Sequence, residues 1–512
     1  MDTKFTRRQF LTAVSSSVTY LALTNTVGCD LRERTPKAKT PKGRPLPTPK
    51  VAPLPNAPST PSKVVWDFRS RPDLSPPAVE VSTQAQGTAP GYIFIAPRFG
   101  LGQHGPMIID NLGQPVWFRK GKYAQDFKVQ HYQGKPVLTC WEGELFPRPS
   151  VGEYVILDSS YREITRVQAG NGYLANQHEF LITSQDTALF TVYNPVLRDL
   201  SPLGGPKEGS VMEGIAQEVD IETGEVLFEW HSLEHVGPDE SYYKPHYRKY
   251  RSGSSRFDYF HINSIEVDHD NNLLISARNT SAVYKVDRKS GEVIWRLGGK
   301  NSDFRMGPGT RFTSQHDARR QPDGTLTIFD NGTPPKVQDQ SRGIALELDE
   351  DNMTATLVRV YTSPDKPLAF ALGNMQVLPN GNVFISWGGA PIISEFSHEG
   401  ELLFDAHYPP NVESYRAFRF PWKGHPTEAP ALVAESGPEK KVTLYVSWNG
   451  ATEVATWEVL AGPGPDQLEP LGSVPRDGFE TAMLVQTSDP YVAVRAKHHL
   501  GEVLGTTAPV KL

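Results

Sequence analysis

Five side chains capable of polar chemistry stand at related places in this 512-residue chain: His178, His261, Asn263, Arg278 and His316. Four of them fall within Asp258–Gly332, in the segments HINSIEV, LLISAR and QHDARR. An imidazole offers a lone pair or a proton near neutral pH. A guanidinium and an amide donate hydrogen bonds to oxyanions. Together the five make a cationic, donor-rich set with few carboxylates. Such a set suits sulfate, or a sulfuryl or phosphoryl group in transfer. Three imidazoles also suffice to bind zinc or copper. Plainer roles exist for each: a satisfied structural histidine, an Arg278 paired with Asp258 or Asp317, an Asn263 capping a turn.

These residues need rigid elements to position them. HINSIEV and LLISAR alternate apolar and polar residues with period two and are bounded by turn residues, which predicts strands. The pattern recurs from about residue 64 to 420. A turn followed by an apolar-aromatic pair occurs at Asp110–Trp117, Asp220–Phe228, Asp287–Trp295 and Ser397–Phe404, with weaker copies at Asp158–Val167 and Asp349–Val360. A second run precedes each one: GYIFIAP, KPVLTCW, TALFTVY, NNLLISAR, GTLTIFD and GNVFISW. Six copies spaced by 48 to 67 residues predict an all-β chain with a six-bladed β-propeller over residues 64–427.

Counting eight residues back from the turns at Asp186, Asn271, Gly324 and Gly381 reaches His178, Asn263, His316 and Gly373; the same count from Gly134 reaches Asp126. Equivalent blade positions form a ring, so innermost strands would bring His178, Asn263 and His316 to one axial channel. His261, two residues before Asn263, should share its face by alternation. Arg278, on the next strand, should reach the same opening.

The flanks differ in composition. Residues 1–29 carry Thr6-Arg7-Arg8-Gln9-Phe10-Leu11, a weakly apolar stretch, and Thr26-Val27-Gly28-Cys29. This predicts a twin-arginine export leader ending in a lipidation site at Cys29, hence a lipid-anchored protein at the periplasmic face of a membrane or at the cell surface. Residues 30–63 hold nine prolines among basic residues and read as a tether. Residues 428–512 hold short alternating strands, including VTLYVSWNGA and VATWEVLAG, and predict a small β-sandwich of immunoglobulin or fibronectin type. Trp448 and Trp457 are expected in its core.

Residues 1–63 hold 11 of the 52 Lys and Arg and 3 of the 58 Asp and Glu, leaving a net of −14 on the rest. An acidic body argues against a nucleic-acid partner. Cys29 and Cys140 are the two cysteines. With Cys29 lipidated, no intrachain disulfide is possible, and neither cysteine forms a CxxC zinc site. No GxxxxGK[ST] phosphate loop and no GxSxG elbow is present. No cofactor or metal is expected.

HINS, SARN, QHDAR and IFDNG in combination resemble the bacterial arylsulfotransferases, also called arylsulfate sulfotransferases. The resemblance covers residues 64–420. It implies nucleotide-independent transfer of a sulfuryl group from an aryl sulfate ester to a phenolic acceptor through a sulfated histidine. Carried over by motif, His316 would be the nucleophile. His178 and His261 would contact sulfate and move protons, and Asn263 and Arg278 would bind the sulfuryl oxygens. The trailing sandwich and the lack of a cysteine pair depart from the enterobacterial members and suggest a divergent branch. The rival expectation is a lipid-anchored propeller that binds a ligand or protein without catalysis, or a His-liganded metal site.

Overall fold

In the computed structural model, residues 50–54, 64–146, 150–245 and 256–512 are described. The Cys29 site and the twin-arginine leader lie outside them. All that follows concerns the unit Pro49–Leu512.

The chain is all-β, as expected. Its one α-helix among the described residues is the single turn Ser232–His235, and no described helix is long and apolar enough to cross a membrane. The strands fall into successive antiparallel groups of four. One, for example, orders Ile262–Val267, Leu273–Ala277, Ala282–Val286 and Val293–Gly298; the next begins at His316–Arg320 and ends at Thr354–Tyr361. Two neighbouring groups, starting at Tyr123–Tyr132 and Ala175–Ile182, are joined into one larger sheet by the pairing of Ala175 with Gly152.

Each of the repeated sequence runs is a strand. The apolar runs are the second strand of their group, such as Leu326–Asp330. The turn-aromatic elements supply the fourth, such as Val293–Gly298 and Leu402–His407. The group at Tyr92–Ile95 is completed by Ala417–Phe420, which pairs with it antiparallel from the far end of the repeats. The leading strands touch in succession, from Ala417–Phe420 through Tyr123–Tyr132, Ala175–Ile182, Ile262–Val267, His316–Arg320 and Asn374–Val377, and back to Ala417–Phe420.

Cores lie between neighbouring groups. Leu274, Val283 and Trp295 of one group pack with Ala318, Leu326 and Ile344 of the next. Each such fully buried aliphatic or aromatic side chain contributes about 1.5–3 kcal/mol. This packing makes the leading strands a fixed frame for whatever they carry.

Beyond residue 428 two sheets enclose one apolar core that includes Leu444, Trp457, Val485 and Val494, with Trp448 packed against it. Val51–Pro53, within the stretch read as tether, adds an edge strand on Glu480–Gln486 and sends Val51 into that core. This region is tied to the repeats by Asn449, whose amide bonds both Phe118 N and Phe118 O at 2.9 Å.

Candidate functional site

The leading strands are irregular where the site residues sit. Register shifts fall between Gln125 and Lys128, Ala175 and Phe180, Ile262 and Ser264, and His316 and Arg319. Asp126, His178, Asn263 and His316 lie within or at the edge of these bulges. A bulge breaks the ladder and re-aims side chains. Asp126, His261, Asp317 and Leu372 all hold left-handed φ, between 53° and 66°. For residues with a Cβ this backbone is strained, and such strain gathers at functional sites.

The three histidines are brought together. The His178 and His261 rings are 4.9 Å apart. His178 and His316 both face the Tyr415 ring, at 5.4 and 6.3 Å. Tyr193 stacks on His178 at 5.1 Å and meets His261 edge-on at 5.6 Å.

His316 is the most deeply set, at 1% exposure. Its Nδ1 faces Asn331 Oδ1 at 2.7 Å and Ser314 O at 3.1 Å, and Leu372 N–H donates to Nε2 at 3.3 Å. Burial, and then the nearby Arg278 charge, hold the imidazole well below its usual pKa. The ring is therefore neutral at physiological pH, with its lone pair on Nε2.

His261 reaches the site by a different route from the one expected. The strand begins at Ile262, and a bulge follows at once. Alternation along the strand therefore does not place His261. Its left-handed backbone does, with Asp258 Oδ2 at 2.5 Å from Nδ1. His178 Nδ1 contacts Asn176 Oδ1.

Arg278 is the first residue of the turn after Leu273–Ala277. Its partners among the described residues are all neutral: Tyr243 Oη at 3.1 Å, Asn279 Oδ1 at 2.7 Å and Phe370 O at 2.7 Å. Among the described residues it makes no ion pair; Asp258 goes to His261, and Asp317 to Arg319 and Arg416. Asn263 does not cap a turn. It donates Nδ2–H to Gln315 O at 2.7 Å, and its buried Oδ1 has no hydrogen-bond partner among the described residues.

Sequence reasoning missed a second buried group beside the first. Arg416 Nη1 pairs with Asp126 at 2.9 Å and Glu179 at 3.1 Å, and Nη2 donates to Asn263 O at 2.8 Å. Lys128 Nζ bridges Asp126 and Glu179, both at 2.8 Å. Arg319 bonds Glu179, Asp317 and Glu266. Burial would raise the Glu179 carboxyl, but Arg319, Arg416 and Lys128 hold it well below the usual range. The repeat count that reached Asp126 was a signal for this group. Tyr415, Arg416 and Asn331 fall outside that count.

Among the described residues, the group with metal-ligand spacing is Asp365, Asp405 and His407, and the three site histidines do not form one. His231 bridges Glu213 at 3.3 Å and Glu229 at 2.8 Å. Trp141 and Trp387 are packing residues, both fully buried. Cys140 is a buried thiol, its pKa pushed up by burial to about 12.

A family model described as Arylsulfotransferase (ASST) matches residues 128–408, more than half of the chain and inclusive of all five site residues. No curated protein matches. Among solved structures, a Bacteroides caccae protein of unknown function is 13% identical, with 64% of this chain and 98% of that one covered at a TM-score of 0.39. A protein of unknown function from Dyadobacter fermentans is 11% identical, covering 78% and 100% at 0.35. A virginiamycin B lyase from Staphylococcus aureus is 8% identical, covering 80% and 100% at 0.32. These structural likenesses are too distant to bear on function.

Proposed function

We propose, because this chain belongs to the arylsulfotransferase family, that it moves a sulfuryl group from an aryl sulfate ester to a phenolic acceptor by way of a sulfated His316. The observation that carries the proposal is the pairing of a buried, neutral His316 with an Arg278 whose partners are all uncharged. A neutral imidazole is a nucleophile. A cation without a carboxylate keeps its charge for an anionic group.

In the first half-reaction, the Nε2 lone pair of His316 bonds to sulfur. The bond from sulfur to the aryl oxygen breaks, and its electron pair leaves on the phenolate. His178 or His261, as imidazolium, gives that oxygen a proton. In the second half the same histidine takes the proton of the acceptor phenol. The acceptor oxygen bonds to sulfur and the N–S pair returns to Nε2. The transition state is loose, with charge on the equatorial oxygens, as in phosphoryl transfer. Arg278 donors and the remaining Nδ2–H of Asn263 serve those oxygens. The burial of His316 limits hydrolysis of the intermediate.

The contact circuit of leading strands supports a six-bladed propeller as the scaffold. Two sheets around one core support an immunoglobulin-like reading of the C-terminal region. The Cys29 sequence box supports a lipid anchor and an extracytoplasmic site of action.

The test uses 4-nitrophenyl sulfate with and without a phenol acceptor, no nucleotide being added. Wild type should release 4-nitrophenol and form the aryl sulfate of the acceptor; His316→Ala should not. Mass spectrometry of donor-treated enzyme should place one sulfuryl group on His316. Transfer by His316→Ala at the wild-type rate would sink the proposal, as would a wild-type protein that binds aryl sulfates without turning them over.

A further inference from the structure

Asn331 follows the strand Leu326–Asp330 and is fully buried. Both ends of its amide are committed. Nδ2 donates to Ala369 O at 3.0 Å and to Leu372 O at 3.1 Å. Oδ1 is therefore the atom that meets His316 Nδ1; a flipped amide would set its oxygen against two carbonyls. Ser314 O is a second acceptor at the same ring nitrogen. Two acceptors at Nδ1 demand a proton there and leave the lone pair on Nε2. On the other side of the ring, the Leu372 N–H also requires a lone pair at Nε2. Leu372 is held in a left-handed conformation, and its carbonyl is one of the two that Asn331 binds. One amide thus ties the imidazole and the 369–372 segment into a single unit.

We infer that Asn331 is a positioning residue that locks His316 in its Nδ1–H tautomer and sets the Leu372 N–H beside Nε2, where it can donate to the sulfuryl group. The inference rests on the function proposed above. In the attacking step the Nε2 pair becomes the N–S bond, and the aryl oxygen leaves with the pair of the broken S–O bond. The Nδ1 proton stays on the ring, bonded to Asn331, while the ring carries the positive charge of the intermediate. The Leu372 N–H, no longer facing a lone pair, turns to a sulfuryl oxygen. In the other tautomer Nε2 carries the proton and cannot attack.

The test reads the tautomer directly, by nitrogen NMR of the full chain labelled with 15N-histidine, the His316 signals being identified by their loss in His316→Gln. Wild type should show a neutral Nδ1–H ring. Asn331→Ala should populate the Nε2–H form and lower kcat with 4-nitrophenyl sulfate by about 10²-fold or more, as expected for a wrong tautomer. Asn331→Asp still accepts at Nδ1 and should keep a proton there, while its second oxygen faces the Ala369 and Leu372 carbonyls and gives up the tie to the 369–372 segment. A wild-type ring in the Nε2–H form overturns the inference, as does an Asn331→Ala protein with the Nδ1–H form and wild-type kcat. Should Asn331→Ala fail to fold, the wild-type and Asn331→Asp spectra still decide between the tautomers. Spectra as expected from a protein that transfers no sulfate would uphold the tautomer lock and bring down the proposed function.

Discussion

Two buried polar groups share the leading strands, and they are built on opposite rules. Around Glu179 every cation meets a carboxylate: Lys128, Arg319 and Arg416 are each within 3.1 Å of one or more. Beside His316, Arg278 meets a phenol, an amide and a carbonyl. A paired cluster holds structure, because each charge is neutralised where it sits. A cation surrounded by neutral acceptors keeps its field for a ligand. Arg416 joins the two, since it pairs with Glu179 and holds the carbonyl of Asn263.

The contrast can be broken at several points. The largest effect on activity should come from His316→Ala, with transfer by the folded protein falling by about 10⁴-fold or more; losing a buried ring and its hydrogen bonds should also cost about 2–3 kcal/mol of stability, and parallel enzyme assays and denaturant titration check both. Glu179→Gln should act on stability and leave the turnover of the folded protein near wild type. Stripping one carboxylate from three cations should cost about 3–5 kcal/mol of stability, seen as a lower denaturant midpoint, with activity following the folded fraction. Arg278→Lys should leave stability within about 1 kcal/mol, because no ion pair is lost. It should lower kcat/KM for aryl sulfates by about 10²-fold, since a lysine lacks the planar fork.

The smallest effect lies outside both groups. The Glu213 carboxylate, assisted by Glu229, raises the His231 pKa to about 9, above the value near 6.5 of an unfolded chain. The folded state binds the proton more tightly. Its stabilisation is complete below pH 6.5 and fades as the pH rises through 9. Partial exposure limits it to about 1 kcal/mol. Unfolding midpoints of wild type and His231→Gln, measured from pH 6 to 10, should converge at the alkaline end.

Much of the frame was legible because a strand writes its burial pattern into consecutive residues. The runs ending in Trp117, Trp295 and Phe404 each marked a fourth strand, and NNLLISAR and GTLTIFD each marked a second. The leading strands were harder to read because bulges interrupt their alternation, and Ala417–Phe420 finds its partner only across the whole repeat region. At the site, residue type and repeat position singled out His178, His261, Asn263, Arg278 and His316. The reason His261 faces the others was not legible, since it depends on a left-handed backbone and not on period two.

Taken by itself, the sequence determined the all-β class, the repeat and the identity of five polar residues, since these depend on local periodicity and composition. Only the tertiary structure decided how those residues are partnered. Whether a guanidinium has a carboxylate beside it, and which nitrogen of His316 carries a proton, depends on Asn331, Leu372, Phe370 and Arg416. Those groups arrive from distant parts of the chain, and hydrogen bonds of about 3 Å leave no trace in sequence spacing.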